Sequence, residues 1–275
     1  MNAALSIIIP AANESAWVGA CLSALAASDP APPGPVQVIV VANGCTDDTA
    51  AQARAAGAVL ADRGWQVEVL ELERGSKPGA LNAGDRAAVH AARAYLDADV
   101  TVSPPLLAQV MAALAQDIPC YVGASPRITP AQSAVTRAYA RFWAQVPFNR
   151  AVAPGYGLFA VNAAGRARWG EWPDIISDDT FARLHFAPTE RVQVPAPYDW
   201  PLPEGFARLV RVRARQNRGV AEIAQRFPAL LVNDKKSPAA LAAMIGAAPL
   251  GFLVYGAVAM AVRMGAGGGG WTRGR

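Results

Sequence analysis

The sequence predicts an α/β fold in which helices cover a mostly parallel sheet. Strand and helix patterns alternate over the first hundred residues, and the strands are continuous apolar runs of the kind that parallel sheets bury on both faces. A polar loop follows each of these strands. The 275 residues are 53% apolar, with a mean hydropathy of +0.19, which excludes a disulfide-stapled miniprotein and an intrinsically disordered chain.

The first two strand–helix units begin with strands predicted at residues 6–10 and 36–41. In the first unit, Asn13 is the expected helix N-cap. It precedes an apolar stripe with helical spacing at Val18, Cys21, Leu22 and Leu25. The helix of the second unit is expected to end near Gly57.

Two further units follow. Residues 66–72 form the third predicted strand, and Pro78 then opens a helix at a position where its missing N–H costs nothing. A short strand at residues 94–96 leads into Asp97-Ala98-Asp99. Later strands are expected at residues 121–124 and 157–161.

A basic amphipathic helix is predicted from residue 206. Its arginines share one stripe, at Arg208, Arg211, Arg215 and Arg218. Residues 208–275 hold eleven Lys or Arg against two acidic residues, whereas residues 1–207 carry a net charge of −5. This asymmetry favours anionic lipid or phosphate, although a solvated helix face explains the stripe equally well. Because no nucleic-acid-binding motif accompanies the arginines, we expect no nucleic-acid partner.

Residues 238–262 contain no charged side chain and are a candidate membrane span. As a helix they would be about 37 Å long, against a hydrocarbon core of about 30 Å. Pro249 disfavours a straight helix, so a kinked span, a re-entrant hairpin, an interfacial segment and a buried alanine-rich helix all remain open. We divide the chain into a catalytic domain, a basic segment, a membrane-associated segment and a flexible tail, at residues 1–205, 206–236, 237–263 and 264–275.

The three cysteines are odd in number and lack the spacing of metal ligands, which predicts reduced thiols in a cytosolic protein. The first ten residues do not have the pattern of a secretory signal peptide. Together with the apolar segment, these features predict a location at the cytoplasmic face of the cell's inner membrane.

Asp97 and Asp99 stand two residues apart at a strand end, where alternate side chains share a face. Paired carboxylates suit Mg²⁺ or Mn²⁺, with substrate phosphates completing the shell, although surface loops often contain such pairs. Lys77 lies at a helix start, where an ammonium and the helix dipole favour a phosphate. A solvated lysine is the alternative. Polar loops after the other strands are expected at the same sheet edge, at residues 10–14, 43–47 and 75–82.

Ser177-Asp178-Asp179 begins another predicted helix. One carboxylate is explained as a helix cap, and the functional alternative is a general base. His185 is interpreted as structural, with an additional metal ligand as the alternative. Trp169 and Trp172 precede the motif, and such rings either stack on sugars or fill a core.

Five motifs occur in order between residues 6 and 184. They read IIIPAANE at 7–14, VVANGCTD at 40–47, GSKPGALNAG at 75–84, LDAD at 96–99 and SDD at 177–179. In this order they resemble family 2 glycosyltransferases, which are inverting enzymes of the GT-A fold that use nucleotide-sugar donors.

The resemblance implies a role for each motif. Asp97 and Asp99 would hold a divalent metal, and Asp179, beside Asp178, would be the base that deprotonates an acceptor hydroxyl. The nucleotide-sugar site would contain Pro10, Asn13, Glu14, Asn43, Lys77, Asn82 and Asp97. Arg218 joins this site because the arginine stripe suits a diphosphate.

The sequence departs from the family pattern in three places. Ala42 replaces an aspartate that contacts the base in many members, so Asn43 is expected to serve instead. Gln216-Asn217-Arg218-Gly219 only half resembles the QxxRW motif of processive synthases, which argues against processive polymerisation. Asn162 stands where members often have arginine.

These features favour a metal-dependent glycosyltransferase that moves one sugar from a UDP- or GDP-sugar to a lipid, lipid-linked or glycan acceptor. Two alternatives remain. A sugar-1-phosphate nucleotidyltransferase shares a similar sheet but normally has a glycine-rich loop after its first strand. A non-catalytic, membrane-tethered scaffold of the same fold is the other.

Overall fold

The computed structural model describes residues 4–234 and 240–266, which divide into two compact units. Unit 1 comprises the chain up to Arg127 together with Gly155–Asp174 and His185–Trp200. Unit 2 comprises Ile128–Pro154, Ile175–Leu184 and the chain from Pro201. The division therefore differs from the continuous domain expected over 1–205, because two internal stretches belong with the C-terminal helices. Most of the expected tail, residues 267–275, lies outside the described residues.

The described part of unit 1 contains a sheet flanked by helices. Its strands are β1 (Leu5–Ala11), β2 (Val36–Asn43), β3 (Gln66–Leu72), β4 (Ala92–Leu96), β5 (Thr101–Val102), β6 (Tyr121–Ile128), β7 (Leu158–Val161) and β8 (Arg191–Trp200). Its helices are α1 (Val18–Ala26), α2 (Thr49–Asp62), α3 (Lys77–Ala87), α4 (Leu106–Leu114) and α6 (Ala163–Arg166), while α5 (Ala134–Trp143) belongs to unit 2. The strand order is β3-β2-β1-β4-β7-β6-β8-β5.

Half of this sheet is parallel. Ile7 of β1 lies between Val38 of β2 and Ala94 of β4, and β3 continues the parallel half beside β2. The direction reverses at β7, where Leu96 of β4 is opposite Leu158. The carboxyl ends of β1 to β4 therefore lie at one edge of the sheet, as the sequence predicts.

Two helix boundaries predicted from the sequence are wrong. The apolar stripe of α1 is buried as expected, but the helix starts at Val18 and Asn13 is not its N-cap. Helix α2 continues past Gly57 to Asp62. A Cβ at Gly57 would lie 2.9 Å from Cγ1 of Val67 on β3, so this glycine permits close packing of helix against strand instead of ending the helix.

Unit 2 consists of helices in its described part. They are α5 (Ala134–Trp143), α7 (Asp178–Leu184), α8 (Phe206–Arg226), α9 (Leu241–Ala247) and α10 (Pro249–Arg263). Helix α10 packs on α5 through aromatic rings, with centroids 5.5 Å apart for Phe142 and Phe252 and 5.3 Å apart for Tyr139 and Tyr255. Residues 238 and 239 of the predicted apolar segment lie outside the described residues.

The apolar segment forms two helices. Neither of them, nor any other helix in residues 4–234 and 240–266, is by itself long and apolar enough to cross a membrane. Taken together, α9 and α10 meet the length and hydropathy of a span, but they are bent by 116° at the break between them.

Candidate functional site

Side chains join the loops that follow β1 and β2. The Asn13 side-chain oxygen accepts hydrogen bonds from the Thr46 backbone N–H at 2.6 Å and from its hydroxyl at 3.1 Å. Asn13 has a φ of 57°, a left-handed conformation that asparagine tolerates. The Glu14 N–H donates to Oγ1 of Thr49 at 2.7 Å. These contacts fix the backbone at Asn13 and Glu14, two residues expected to contact a nucleotide.

Asn43 and Gly44 join the β2 loop to the start of α3. The buried Asn43 side chain donates to the Ala11 carbonyl at 2.9 Å and accepts from the Ser76 N–H at 3.0 Å. Gly44 has a φ of +59°, and a Cβ there would lie 2.5 Å from the nitrogen of Gly75. The described contacts of the Asn43 side chain are therefore with backbone groups of the protein, and they hold three loops in register.

Lys77 begins α3 at the same edge. Ser76 caps this helix by accepting a hydrogen bond from the Gly79 N–H at 3.1 Å. The Lys77 ammonium lies 3.0 Å from Oδ1 of Asp97, and both side chains are 35% exposed. The helix start and the ammonium together place positive potential beside the Asp97 carboxylate.

The second carboxylate, that of Asp99, lies in a tight turn between Asp97 and Val100. The Asp97 N–H donates to the Gly157 carbonyl at 2.9 Å, and the Val100 N–H donates back to the Asp97 carbonyl at 3.1 Å. Burial, and then the negative charges of Asp99 and Asp97, raise the pKa of the Cys21 thiol far above its usual range. The Cys21 thiol stays protonated and lies 3.9 Å from the Asp97 carbonyl oxygen, at the start of the turn.

The donor chemistry of this turn fits a divalent cation. Among the described residues, no three His, Cys, Asp or Glu side chains come together as a metal cage. Mg²⁺ commonly binds through one or two carboxylates and completes its shell with phosphates and water, a set that Asp97 and Asp99 match. His185, the alternative ligand, packs its ring 5.3 Å from that of Trp169.

Pro10 and Asn82 lie at the flanks of these loops. Pro10 is a half-buried residue of β1 that pairs with Val41. The Asn82 side chain on α3 makes two hydrogen bonds with the backbone of Trp172. It accepts one from the N–H at 2.7 Å and donates the other to the carbonyl at 3.0 Å. Asn82 thus anchors the segment that contains Trp172 to α3.

Asp85 was not predicted from the sequence, although it lies three residues after Asn82 on the same side of α3. Its carboxylate is 10% exposed and lies 2.8 Å from a guanidinium nitrogen of Arg166 and 3.3 Å from one of Arg93. It also accepts hydrogen bonds from the Tyr95 hydroxyl at 2.9 Å and the Trp172 indole N–H at 2.8 Å. Asp85 is therefore the hub of a buried polar network that joins α3, β4 and the segment around Trp172.

The tryptophans are part of the core of unit 1. Trp169 is 7% exposed and Trp172 is 3% exposed, and their rings pack edge to face at 5.3 Å. Of the two interpretations from the sequence, the structure supports core packing over stacking on a sugar. Asn162 is similarly structural, since its buried amide oxygen accepts from the N–H groups of Cys120 at 3.0 Å and Gly165 at 2.9 Å.

In unit 2, the two aspartates at the start of α7 differ in exposure. Asp178 is buried, whereas Asp179 is partly exposed. The Thr180 N–H donates to Oδ1 of Asp179 at 2.7 Å, which orients this carboxylate. Asp179 therefore has the access to solvent that a proton acceptor for a substrate needs.

Helix α8 supports the residues before α7 from within unit 2. Glu222 accepts a hydrogen bond from the Ile176 N–H at 3.0 Å. A Cβ at Gly219 would lie 2.2 Å from the Ser177 hydroxyl. The segment at residues 216–219, which half resembles the QxxRW motif, therefore packs closely against Ser177-Asp178-Asp179 through this glycine. Arg218, next to this glycine, is exposed.

The structure thus brings eight of the predicted residues to the sheet edge and its flanks in unit 1. These are Pro10, Asn13, Glu14, Asn43, Lys77, Asn82, Asp97 and Asp99. Asp178, Asp179 and Arg218 belong to unit 2. Sequence analysis missed Thr49 and Asp85, because their roles arise from contacts with residues distant in the sequence.

The mixed sheet, its flanking helices and the polar loops at its carboxyl edge define the GT-A class of glycosyltransferases. Residues 6–167 match the family model described as glycosyl transferase family 2. The match covers more than half of the chain, which belongs to this family. It favours sugar transfer over the nucleotidyltransferase alternative.

Solved structures share this fold. A mannosyltransferase from Pyrobaculum calidifontis, solved with GDP-Man and Mn²⁺, is 21% identical, with a TM-score of 0.62, and the match covers 97% of this chain and 76% of that one. Glucosyl-3-phosphoglycerate synthase from Mycobacterium tuberculosis, solved with Mn²⁺ and UDP-glucose, is 21% identical with a TM-score of 0.55 over 82% and 79% of the chains. TarS from S. aureus is 18% identical with a TM-score of 0.51 over 80% and 40%. No curated protein matches by sequence.

Proposed function

We propose that the protein transfers a single sugar, with inversion, from a nucleotide-diphosphate sugar to a hydroxyl of a lipid, lipid-linked or glycan acceptor. The observation that carries this proposal is the Lys77–Asp97 pair, 3.0 Å apart beside Asp99 where four parallel strands end. Ligands of open α/β sheets bind at such an edge.

The sugar donor is held by groups on the loops of unit 1. Asn13 and Glu14, fixed by the β2–α2 loop, line the nucleotide side. Lys77 and the start of α3 attract the diphosphate, because an ammonium and the positive end of the helix dipole both favour negative charge. UDP- and GDP-sugars are the candidates, and the solved relatives named above contain donors of both kinds.

Asp97 and Asp99 would hold Mg²⁺ or Mn²⁺ together with the diphosphate. When bound, the cation supplies positive charge that stabilises the leaving nucleoside diphosphate. Lys77 adds to this stabilisation from the protein and, by pairing with Asp97, keeps that carboxylate in one orientation.

Asp179 accepts the proton of the acceptor hydroxyl. The hydroxyl oxygen forms a bond to the anomeric carbon while the bond from that carbon to the diphosphate oxygen breaks, so the sugar moves in one displacement. The hydrogen bond from Thr180 orients the carboxylate for this step, and its partial exposure gives the acceptor access. The buried Asp178 lies beside it in the first turn of α7.

We also propose that the enzyme works at the cytoplasmic face of a membrane. The uncharged residues 238–262 and the basic C-terminal quarter support this location. A lipid or lipid-linked acceptor would be available there.

Thermal unfolding with a panel of UDP-, GDP-, dTDP- and CMP-sugars, with and without Mn²⁺, tests the donor site. A donor at about 100 times its dissociation constant adds about 2.7 kcal/mol to the free energy of unfolding. We expect one nucleotide class to stabilise the protein in a Mn²⁺-dependent manner, and Asp99→Asn to abolish the effect. Stabilisation by no nucleotide sugar would contradict the proposal.

Asp179→Asn tests the chemistry, with Asp178→Asn as the neighbouring variant. We expect Asp179→Asn to abolish transfer while donor-induced stabilisation stays at the wild-type level, a result that a non-catalytic scaffold would not give. Released nucleoside diphosphate reports sugar transfer. Release of pyrophosphate from a nucleoside triphosphate would instead indicate the nucleotidyltransferase.

A further inference from the structure

Helix α10 is apolar on all sides, but the described residues cover only part of it. Its inner side packs closely on α5, since a Cβ at Gly251 would lie 2.5 Å from the Ala138 carbonyl oxygen. Phe252 and Tyr255 pack against the rings of Phe142 and Tyr139 on α5, and Val258 is 1% exposed. A helix that is hydrophobic all round is normally buried all round.

The opposite side of α10 carries a continuous apolar row, which we call the outer stripe. Its residues recur at i, i+3, i+7, i+10 and i+14, and they are Leu250, Leu253, Ala257, Met260 and, just past the helix end, Met264. The leucines and methionines are 59% to 76% exposed. The outer stripe is about 21 Å long at 1.5 Å per residue. Leu241 of α9 is also exposed, at 51%.

The positive charge of unit 2 indicates what kind of surface binds the outer stripe. Its described residues include eleven arginines and five carboxylates, so the unit is strongly basic. One of these arginines lies beside the outer stripe, since Arg263 ends α10 and directly precedes Met264. An apolar face with a cation at its border, in a strongly basic unit, matches an anionic bilayer surface.

The composition of the outer stripe also favours lipid over protein. The cores of protein–protein interfaces are enriched in aromatic residues, arginine and methionine and depleted in alanine. The outer stripe has no aromatic residue and no arginine, contains an alanine, and shares only its methionines with that set. The aromatic residues of α10 are on the side that is already covered by α5. Because that inner side is packed on protein, lipid has access to the outer stripe alone.

We propose that α10 lies in the plane of an anionic membrane, with its outer stripe in the interface between headgroups and acyl chains. The inference rests on the membrane location proposed above and adds the contact surface and the lipid charge. It does not depend on the identity of the sugar or the acceptor.

Partitioning of the full-length chain onto vesicles tests this proposal. The vesicles contain phosphatidylcholine alone or with about one-third phosphatidylglycerol. The test variant combines Leu250→Gln, Leu253→Gln and Met260→Gln, because glutamine retains helix propensity. The matched control combines Val89→Gln and Ile118→Gln, which change residues of unit 1 that are 63% and 68% exposed.

We expect the wild type to bind anionic vesicles at least about tenfold more tightly than neutral ones, with binding weakened by salt. The triple variant should bind at least about tenfold more weakly than the wild type, and the control should bind like it. Equal binding by the triple variant and the wild type, or no binding by the wild type, would overturn the proposal. A wild-type dimer that the triple variant converts to a monomer would assign the stripe to a second copy.

Donor-induced thermal stabilisation is measured on the same samples. If donors stabilise the protein and vesicles do not bind, the membrane contact fails and the transferase proposal stands. If vesicles bind and no donor stabilises the protein, the transferase proposal fails and the membrane contact stands. A folded triple variant is recognised by a donor response equal to that of the wild type.

Discussion

The Lys77 ammonium lies 3.0 Å from Oδ1 of Asp97, joining the start of α3 to the carboxyl end of β4. The two residues are twenty positions apart in the sequence. The pair is accessible, so a phosphate can approach the ammonium without displacing the protein core.

Lys77→Met should lower kcat/KM by about 100-fold to 1,000-fold, the effect of removing one group that stabilises charge in a transition state. Steady-state transfer assays measure this change. Arg74→Gln, which removes an exposed charge from the same loop, should remain within about twofold of the wild type. A Lys77→Met enzyme as active as Arg74→Gln would show that the ammonium does not act on the substrate.

Asp85→Asn should lower the free energy of unfolding by about 3–5 kcal/mol, because it leaves the largely buried guanidinium groups of Arg93 and Arg166, whose side chains are 13% and 17% exposed, without their counter-charge. Urea denaturation measures the loss. Arg86→Gln is the control on the same helix. Its ion pair with Glu171 is exposed on both sides, so the expected loss is below about 1 kcal/mol. Equal losses in the two variants would contradict the hub role of Asp85.

Gly219→Ala should lower kcat by about tenfold to 100-fold with little change in donor affinity. The new methyl group would lie 2.2 Å from the Ser177 hydroxyl, so the SDD segment must shift, and displacements of about 1 Å have effects of this size. Gly256→Ala is the control, since a Cβ there meets nothing within 4 Å. An unchanged kcat in Gly219→Ala would show that the contact between α8 and the SDD segment does not contribute to catalysis.

Glu190 should contribute to the pH dependence of stability. Hydrogen bonds from Arg168 are the main cause of a pKa for Glu190 below its ordinary value. A carboxylate with a lowered pKa in the folded state stabilises the protein above its unfolded pKa of about 4.5, and this contribution is lost as the pH falls through the folded pKa. The urea midpoint of Glu190→Gln should therefore differ most from the wild type near pH 7, with the gap closing below about pH 4. A gap that is constant with pH would refute the linkage.

The sequence by itself determined the alternating strands and helices, the loops that face one sheet edge, and the motifs of the family. These features follow from local pattern, because apolar periodicity and turn residues act over a few neighbouring positions. The strand at residues 66–72 is found at those residues, and the stripe of α1 is buried as its spacing predicts.

Only the tertiary structure decided which polar residues are joined inside the protein and which are open to a ligand. Asn43 and Asp85 join loops and helices that are distant in the sequence. The rings of Trp169 and Trp172 are buried in the core. Gly57 lies within α2, where it permits close packing on β3, instead of ending the helix. The break between α9 and α10 falls at Pro249, where the sequence disfavours a straight helix, but the packing of α10 on α5 was decided by the tertiary structure. Such outcomes depend on contacts between distant segments, which local periodicity does not encode.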